Sequence, residues 1–269
     1  MERIRGTFNR LRRFRRKALI PFVMGGDPNL ETTERLLRAL EQAGADLIEV
    51  GIPFSDPLAD GPIIQRASSR ALAHGATPSA ILRAVGRASK RLSVPVVLLS
   101  YWNPIVRYGG GPPDPAAFVL AAAWAGVSGI IVPDLPPEEA DGFRRAAKRA
   151  GVAAIFLAAP TSPAARLRRI ARASEGFIYY VSVTGTTGVR KQVSAEMAHH
   201  VRQIKSLTTK PVCVGFGIST PAQAAAVARV ADGVIIGSAL IRIMEPHLRH
   251  PAQLLRSARA FMQRLRKAV

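Results

Sequence analysis

Eight short apolar runs recur along the chain, each followed by an amphipathic stretch long enough to be a helix. They are "ALIPFVM" (18–24), "DLIEVG" (46–51), "VPVVLLS" (94–100), "GIIVPD" (129–134), "AAIFLAA" (153–159), "FIYYVS" (177–182), "PVCVGFG" (211–217) and "GVIIGS" (233–238). The helical stretches cover 30–43, 63–73, 78–91, 115–125, 137–150, 163–173, 194–206 and 220–230, with a basic final helix over 251–267. Strands that are mostly apolar throughout, instead of alternating, read as parallel strands covered on their outer side. Eight such units in 269 residues predict an α/β fold, a single (β/α)₈ TIM barrel over 1–269. A doubly wound open sheet is the runner-up, weakened because no G-x-G-x-x-G follows the first strand. The Gly/Pro-rich stretch "RYGGGPPDPAAF" (107–118) is too short to separate two domains.

Charge and cysteine content narrow the function classes. The 38 Lys and Arg against 18 Asp and Glu give a net charge of +20. A polyanionic partner such as nucleic acid is one reading. Dispersal of the arginines over many helices ("RRAAKRA", "RLRRIARA", "RSARAFMQRLRK") favours the other, solvated helix faces with no dedicated partner. A single cysteine, Cys213, excludes an intrachain disulfide and fits a reducing cytosol. No apolar run reaches the roughly 18 residues of a membrane helix. The basic first 17 residues lack the apolar core of a secretory signal, although an Arg-rich start raises the question of a transit peptide.

A barrel of this kind places its chemistry at the C-terminal ends of the strands. Lys90, Lys148, Lys205 and Lys210 fall in helices or before strands and Lys191 in a loop, so a Schiff-base lysine is not favoured. His74, His199, His200, His247 and His250 fall in helical or post-helical segments, so no metal site is expected. What remains at the strand ends is carboxylate, amide, hydroxyl and glycine, a set suited to proton transfer on a bound organic phosphate. Period two puts Leu47, Glu49 and Gly51 on one strand face. If that face points inward, burial raises the pKa of Glu49 toward neutrality, where a carboxyl can both give and take a proton. A structural salt bridge to an arginine is the competing reading. Asp60 sits in "PFSDPLADGP", where prolines stiffen the loop; an Asx-turn or an N-cap for the next helix competes there. Asp56 has the same alternative and a weaker case. "GFGIST" and "GVIIGSAL" end strands seven and eight, and Gly217, Gly237 and Ser238 there offer backbone N–H groups, a hydroxyl and a helix start to a phosphate. "SVTGTTGVRKQV" (182–193) reads either as a lid with glycine hinges or as an ordinary long βα loop.

The segments "PFVMGGDP", "GADLIEVGIPFSDPLADGPIIQ", "GIIVPDLPPEE", "YYVSVTGTTG", "GFGIST" and "GSAL" resemble, in order and spacing, the signature segments of the tryptophan synthase α subunit family over essentially the full length. The resemblance implies an N-terminal helix in place of a transit peptide and extra short helices in the βα loops. It implies retro-aldol cleavage of indole-3-glycerol phosphate to indole and glyceraldehyde 3-phosphate, in the cytoplasm and with no cofactor in this chain. By residue-by-residue matching, Glu49 takes the acid/base position, Asp60 the position that accepts the indole N–H, and Tyr179 that of an active-site tyrosine. Phe22 and Leu99 fall in the indole pocket, Thr187 on a lid threonine that meets Asp60, and Gly188, Gly217, Gly237 and Ser238 on the phosphate site. Asp56, Pro57 and Asn103 fall in loops that face a β subunit, which carries pyridoxal phosphate and receives the indole within an α2β2 heterotetramer. The 107–118 loop is more Gly/Pro-rich than the family pattern, and the +20 charge departs from it as well. Two rivals stand beside this reading. One is another phosphate-binding barrel, such as an isomerase of histidine or thiamin-precursor metabolism; the other is a basic, inactive barrel that holds nucleic acid.

Overall fold

The computed structural model describes residues 1–181, 195–215 and 217–269. Among them, nine parallel strands form one sheet: β1 Ala18–Met24, β2 Ile48–Gly51, β3 Val96–Leu99, β4 Val127–Ile131, β5 Ala153–Ile155, β6 Leu157–Ala158, β7 Ile178–Val181, β8 Val212–Gly215 and β9 Gly233–Ile236. The strand order is β5-β4-β3-β2-β1-β9-β8-β7-β6. Its two ends, β5 and β6, are one run of chain interrupted only at Phe156, so the sheet closes on itself. The fifth strand expected as continuous over 153–159 is therefore two short pieces, one pairing with β4 and the other with β7. Phe156 bridges the break: its carbonyl accepts the Tyr179 N–H at 3.2 Å and its own N–H donates to Ser174 Oγ at 3.2 Å.

Twelve α-helices are described: α1 Glu2–Arg13, α2 Leu30–Gln42, α3 Pro62–Ala73, α4 Pro78–Ser89, α5 Trp102–Val106, α6 Pro115–Trp124, α7 Asp141–Arg149, α8 Ala164–Ala173, α9 Ala195–Leu207, α10 Pro221–Ala228, α11 Ser238–Met244 and α12 Pro251–Arg266. Local chemistry sets several starts. Asn29 accepts the Thr32 N–H at the head of α2, and Thr77 accepts the Ala80 N–H at α4. Thr220 and Gln223 form a reciprocal capping box at α10. Helix α7 begins at Asp141 and not at 137, because 137–139 form a turn first.

Two buried clusters divide the apolar residues by strand face. Leu19, Val23, Ile48, Val50, Val96, Leu98, Val214 and Val234 point outward and pack against the helices. Ala18, Ile20, Leu47, Val97, Ile131, Ile155, Cys213 and Ile235 point inward, where Ile4, Phe8 and Leu11 of α1 join them and close the N-terminal end of the barrel. Glycine makes this plug fit: a Cβ at Gly129 would lie 3.1 Å from Ile4 Cδ1 and 2.8 Å from Ile155 Cδ1. Cys213 is buried in this interior cluster. At the start of β2, Asp46 accepts the Leu19 N–H (2.9 Å) and an Arg266 N–H (2.7 Å), tying the last helix to the first two strands.

Candidate active site

With Leu47 in the interior cluster, strand alternation sends Glu49 inward as well, one step nearer the open end. In register it stands between Phe22 of β1 and Val97 of β3. Gly51, the next inward position, carries no side chain, and the Phe22 ring occupies that space: a Cβ at Gly51 would lie 2.8 Å from Phe22 Cζ. Opposite, on β8, a Cβ at Gly215 would lie 2.7 Å from the Tyr179 hydroxyl. Two glycines thus let two aromatic rings lie across the barrel mouth.

The result is a cavity of about 280 Å³ at the C-terminal ends of the strands. It gathers eight of the residues singled out in the sequence: Phe22, Glu49, Asp60, Leu99, Tyr179, Gly217, Gly237 and Ser238. Asp56, Pro57 and Asn103 do not line it. Asp56 and Asn103 are exposed and Pro57 half-buried on the surrounding loops, and the Ser55 hydroxyl donates to Asp56 Oδ2 at 2.5 Å. Thr187, Gly188 and the whole 182–193 loop lie outside the described residues, so the loop reading stays an expectation.

Glu49 is 0% exposed, and among the described residues neither of its carboxyl oxygens has a hydrogen-bond partner. Burial pushes its pKa up to about 8, with the negative charge of Asp60 adding to the shift. No arginine pairs with it among the described residues, so the salt-bridge alternative is not what the fold builds. Asp60 is half-buried, and burial raises its pKa to about 6, with the nearby Tyr101 hydroxyl opposing that shift. It does not cap α3: the N-cap is Gly61, with no side-chain cap. Burial and the two nearby carboxylates hold the Tyr179 hydroxyl well above its ordinary pKa, so it remains a donor. Gly217 has φ +70°, a left-handed conformation in which a side chain would be strained.

Two residues of the site were not anticipated. Arg242 is the one cationic side chain lining the cavity among the described residues. It lies four residues, about one helical turn, beyond Ser238, and that spacing was the available signal. Tyr101, directly after the third apolar run and at the N-cap of α5, reaches the Asp60 loop, where its hydroxyl accepts the Ala59 N–H at 2.9 Å. The described residues hold no group of three or more His, Cys, Asp or Glu able to bind a metal ion, and no described helix is long and apolar enough to cross a membrane.

A closed parallel sheet with paired acids, glycine turns and one arginine at the strands' C-terminal ends defines a barrel enzyme. A family model described as "Tryptophan synthase alpha chain" matches residues 8–269. The tryptophan synthase alpha chain of Geobacter sulfurreducens is 49% identical over 269 residues, covering 100% of this chain and 99% of that one. That of Geotalea daltonii is 51% identical over 245 residues, 91% of each chain. Among solved structures, tryptophan synthase subunit alpha from Legionella pneumophila superposes with a TM-score of 0.90 at 40% identity, covering 99% of this chain and 97% of that one. Tryptophan synthase from M. tuberculosis in its aminoacrylate-bound form gives 0.86 at 36% identity, covering 99% of both. The chain belongs to the tryptophan synthase alpha chain family. It is a lyase of tryptophan biosynthesis that cleaves indole-3-glycerol phosphate, and an alpha chain implies a beta subunit as partner.

Proposed function

We propose that Glu49 is the single proton carrier of this cleavage and that Asp60 holds the indole ring. The observation that carries this reading is a fully buried carboxyl, free of partners among the described residues, opening into the same cavity as a second acid. The Glu49 proton passes to carbon 3 of the indole, which leaves a cationic indolenine. Asp60, as carboxylate, accepts the ring N–H and stabilises that cation. The bond between carbon 3 and the side chain then breaks and its electron pair returns to the ring. The adjacent hydroxyl becomes the aldehyde and gives its proton to the Glu49 carboxylate, which restores the starting state. One carboxyl both gives and receives the proton, and a pKa near neutrality suits both steps.

Phe22 and Leu99 pack the ring, and Tyr179 serves as a neutral hydroxyl donor. The amides of Gly217, Gly237 and Ser238, with the Ser238 hydroxyl, hold the phosphate. Thr187 and Gly188 complete the enclosure in this reading. Asp56, Pro57 and Asn103 face the β subunit, which binds pyridoxal phosphate and takes up the indole in a cytoplasmic α2β2 assembly. Leu58, 93% exposed between Pro57 and Ala59, supports a protein partner on this loop. Indole release from indole-3-glycerol phosphate, measured with and without a β subunit, tests the reading; another phosphate substrate preferred over it would overturn it.

Two further outcomes are expected. The kcat profile is bell-shaped, rising near pH 6 as Asp60 ionises and falling near pH 8 as Glu49 loses the proton it must donate. A flat profile between pH 5 and 9, on the order of the range that covers both groups, would contradict these roles. Arg242→Ala raises KM about two- to fivefold, as befits an exposed charge, and the difference shrinks as salt is added. A salt-independent change in KM would remove Arg242 from phosphate attraction.

A further inference from the structure

Helix α1 ends at Arg13 with Phe14 as its C-cap. The N–H groups of Phe14, Arg15 and Arg16 then donate to the carbonyls of Arg10, Arg12 and Leu11 at 3.2, 3.1 and 2.9 Å. This is a Schellman turn, whose left-handed residue is usually glycine. Here it is Arg15, at φ +53°, the one non-glycine residue with a positive φ among the described residues. The turn places Arg12, Arg15, Arg16 and Lys17 around a cavity of about 260 Å³, with Asp232 from just before β9 on its far wall. Four cations face one carboxylate there, and that carboxylate is already engaged. Asp232 accepts from Lys205 Nζ at 2.8 Å and from the Val212 N–H at 3.0 Å, and Lys17 Nζ lies 3.8 Å away. Among the described residues no acid pairs with Arg12, Arg15 or Arg16. Arg66, Arg70, Arg87 and Arg169, on other helices, each meet a carboxylate. Helix capping does not account for the cluster either, because backbone amides already satisfy the last carbonyls of α1. Arg16 also opposes the charge of Arg266, which Asp46 holds at 2.7 Å.

We propose that this cavity is a second anion site, at the opposite end of the barrel from the catalytic one, and that it takes a small molecule carrying linked phosphates. Like charges gathered over a concave wall, lined here by Phe8 and Leu11, concentrate anions. Guanidinium groups suit phosphate oxygens because each can donate two parallel hydrogen bonds. The cavity is nearly as large as the 280 Å³ catalytic one, and its cations outnumber what a single phosphate can meet. They converge on a hollow and do not line an extended track, which favours a small molecule over a nucleic-acid strand. A bound anion would link the turn after α1 to the start of β9, so it should stabilise the plugged end of the barrel. The site is independent of the roles given to Glu49 and Asp60.

The test is calorimetric titration of the full chain with sodium pyrophosphate, in wild type and in the double variant Arg15→Gly, Arg16→Ala. Glycine suits the left-handed position, so without anion the variant should unfold at no lower temperature than wild type. Pyrophosphate taken up at the catalytic cavity is common to both proteins, so the difference between them reads this site. The variant is expected to bind pyrophosphate at this site about tenfold more weakly, the low end for charged hydrogen bonds because Arg15 and Arg16 are exposed. Arg12→Gln, which leaves the left-handed turn untouched, should weaken binding as well. Pyrophosphate should raise the unfolding temperature of wild type more than that of the variant, inorganic phosphate should bind more weakly than pyrophosphate, and kcat for indole release should not change. ADP as a further titrant separates the sources: tighter binding than pyrophosphate assigns the linked phosphates to a nucleotide, weaker binding to a free polyphosphate, and either supports the site. Equal pyrophosphate binding by wild type and both variants would overturn the proposal. So would inorganic phosphate binding as tightly as pyrophosphate. Single-stranded RNA bound where pyrophosphate is not would overturn it too, and would mark this end as a nucleic-acid surface.

Discussion

Glu49→Gln is expected to abolish indole release while the protein still binds indole-3-glycerol phosphate. The amide has nearly the shape of the acid and leaves the cavity intact, but it neither protonates carbon 3 nor accepts the hydroxyl proton. General acid–base help of this kind contributes ~10²–10⁴-fold, and one group serving two transfers places the loss at the upper end. Stability should move the other way. Folded Glu49 has a pKa of about 8 against an ordinary value of 4.5, so between those pH values the folded state holds a proton that the unfolded state has released. Stability from this group is therefore fully present below about 4.5 and is lost as pH rises through 8, at about 1.4 kcal/mol per pH unit. Glutamine has no such dependence, so the variant should gain on wild type as the buffer becomes more alkaline. Turnover measurements, a binding titration and denaturation at two pH values check all three statements. A variant that still releases indole at the wild-type rate removes Glu49 from the chemistry.

The second large effect is structural. Ile4→Ala, at the opposite end of the barrel from the cavity, should cost about 2–5 kcal/mol of stability. Ile4 is 0% exposed within the interior cluster, and Gly129 and Gly176 both leave room for its methyl groups, with hypothetical Cβ atoms 3.1 Å away. Those glycines have no side chains with which to fill the space, so little collapse can offset the loss. Chemical denaturation followed by far-UV circular dichroism reads the change. An unmoved midpoint would mean that α1 contributes little to closing the barrel. Because the plug and the cavity lie at opposite ends, kcat at a temperature where the variant is folded should stay near the wild-type value.

Much of this arrangement could be read from the residues because it depends on period and local chemistry. Alternation through "DLIEVG" put Leu47 and Glu49 on one face, and both face inward. The apolar runs marked the strands, although most ladders are shorter than the runs, as in Val96–Leu99 within 94–100. The break at Phe156 left no mark because apolar residues continue through it. Helices α5 and α11, five and seven residues long, are too short to establish a helical period. Contacts through space were the hardest to see. The bond from Tyr101 to the Asp60 loop depends on how the end of β3 meets a segment some forty positions earlier, and no spacing rule encodes it. The competing reading of Asp60 as a helix cap fell because the cap position belongs to Gly61, one residue later.

The plug formed by α1 has a consequence for how the chain is made. Its apolar stripe of Ile4, Phe8 and Leu11 is synthesised before the residues that cover it, which extend through Val97, Ile155 and Phe177 to Ile235. At elongation rates of about 5–20 residues per second, the last of these emerges about ten to forty-five seconds after the stripe. Throughout that interval a sticky, arginine-flanked surface is without its permanent cover, which makes this nascent segment a point at which chaperone capture or premature association would begin.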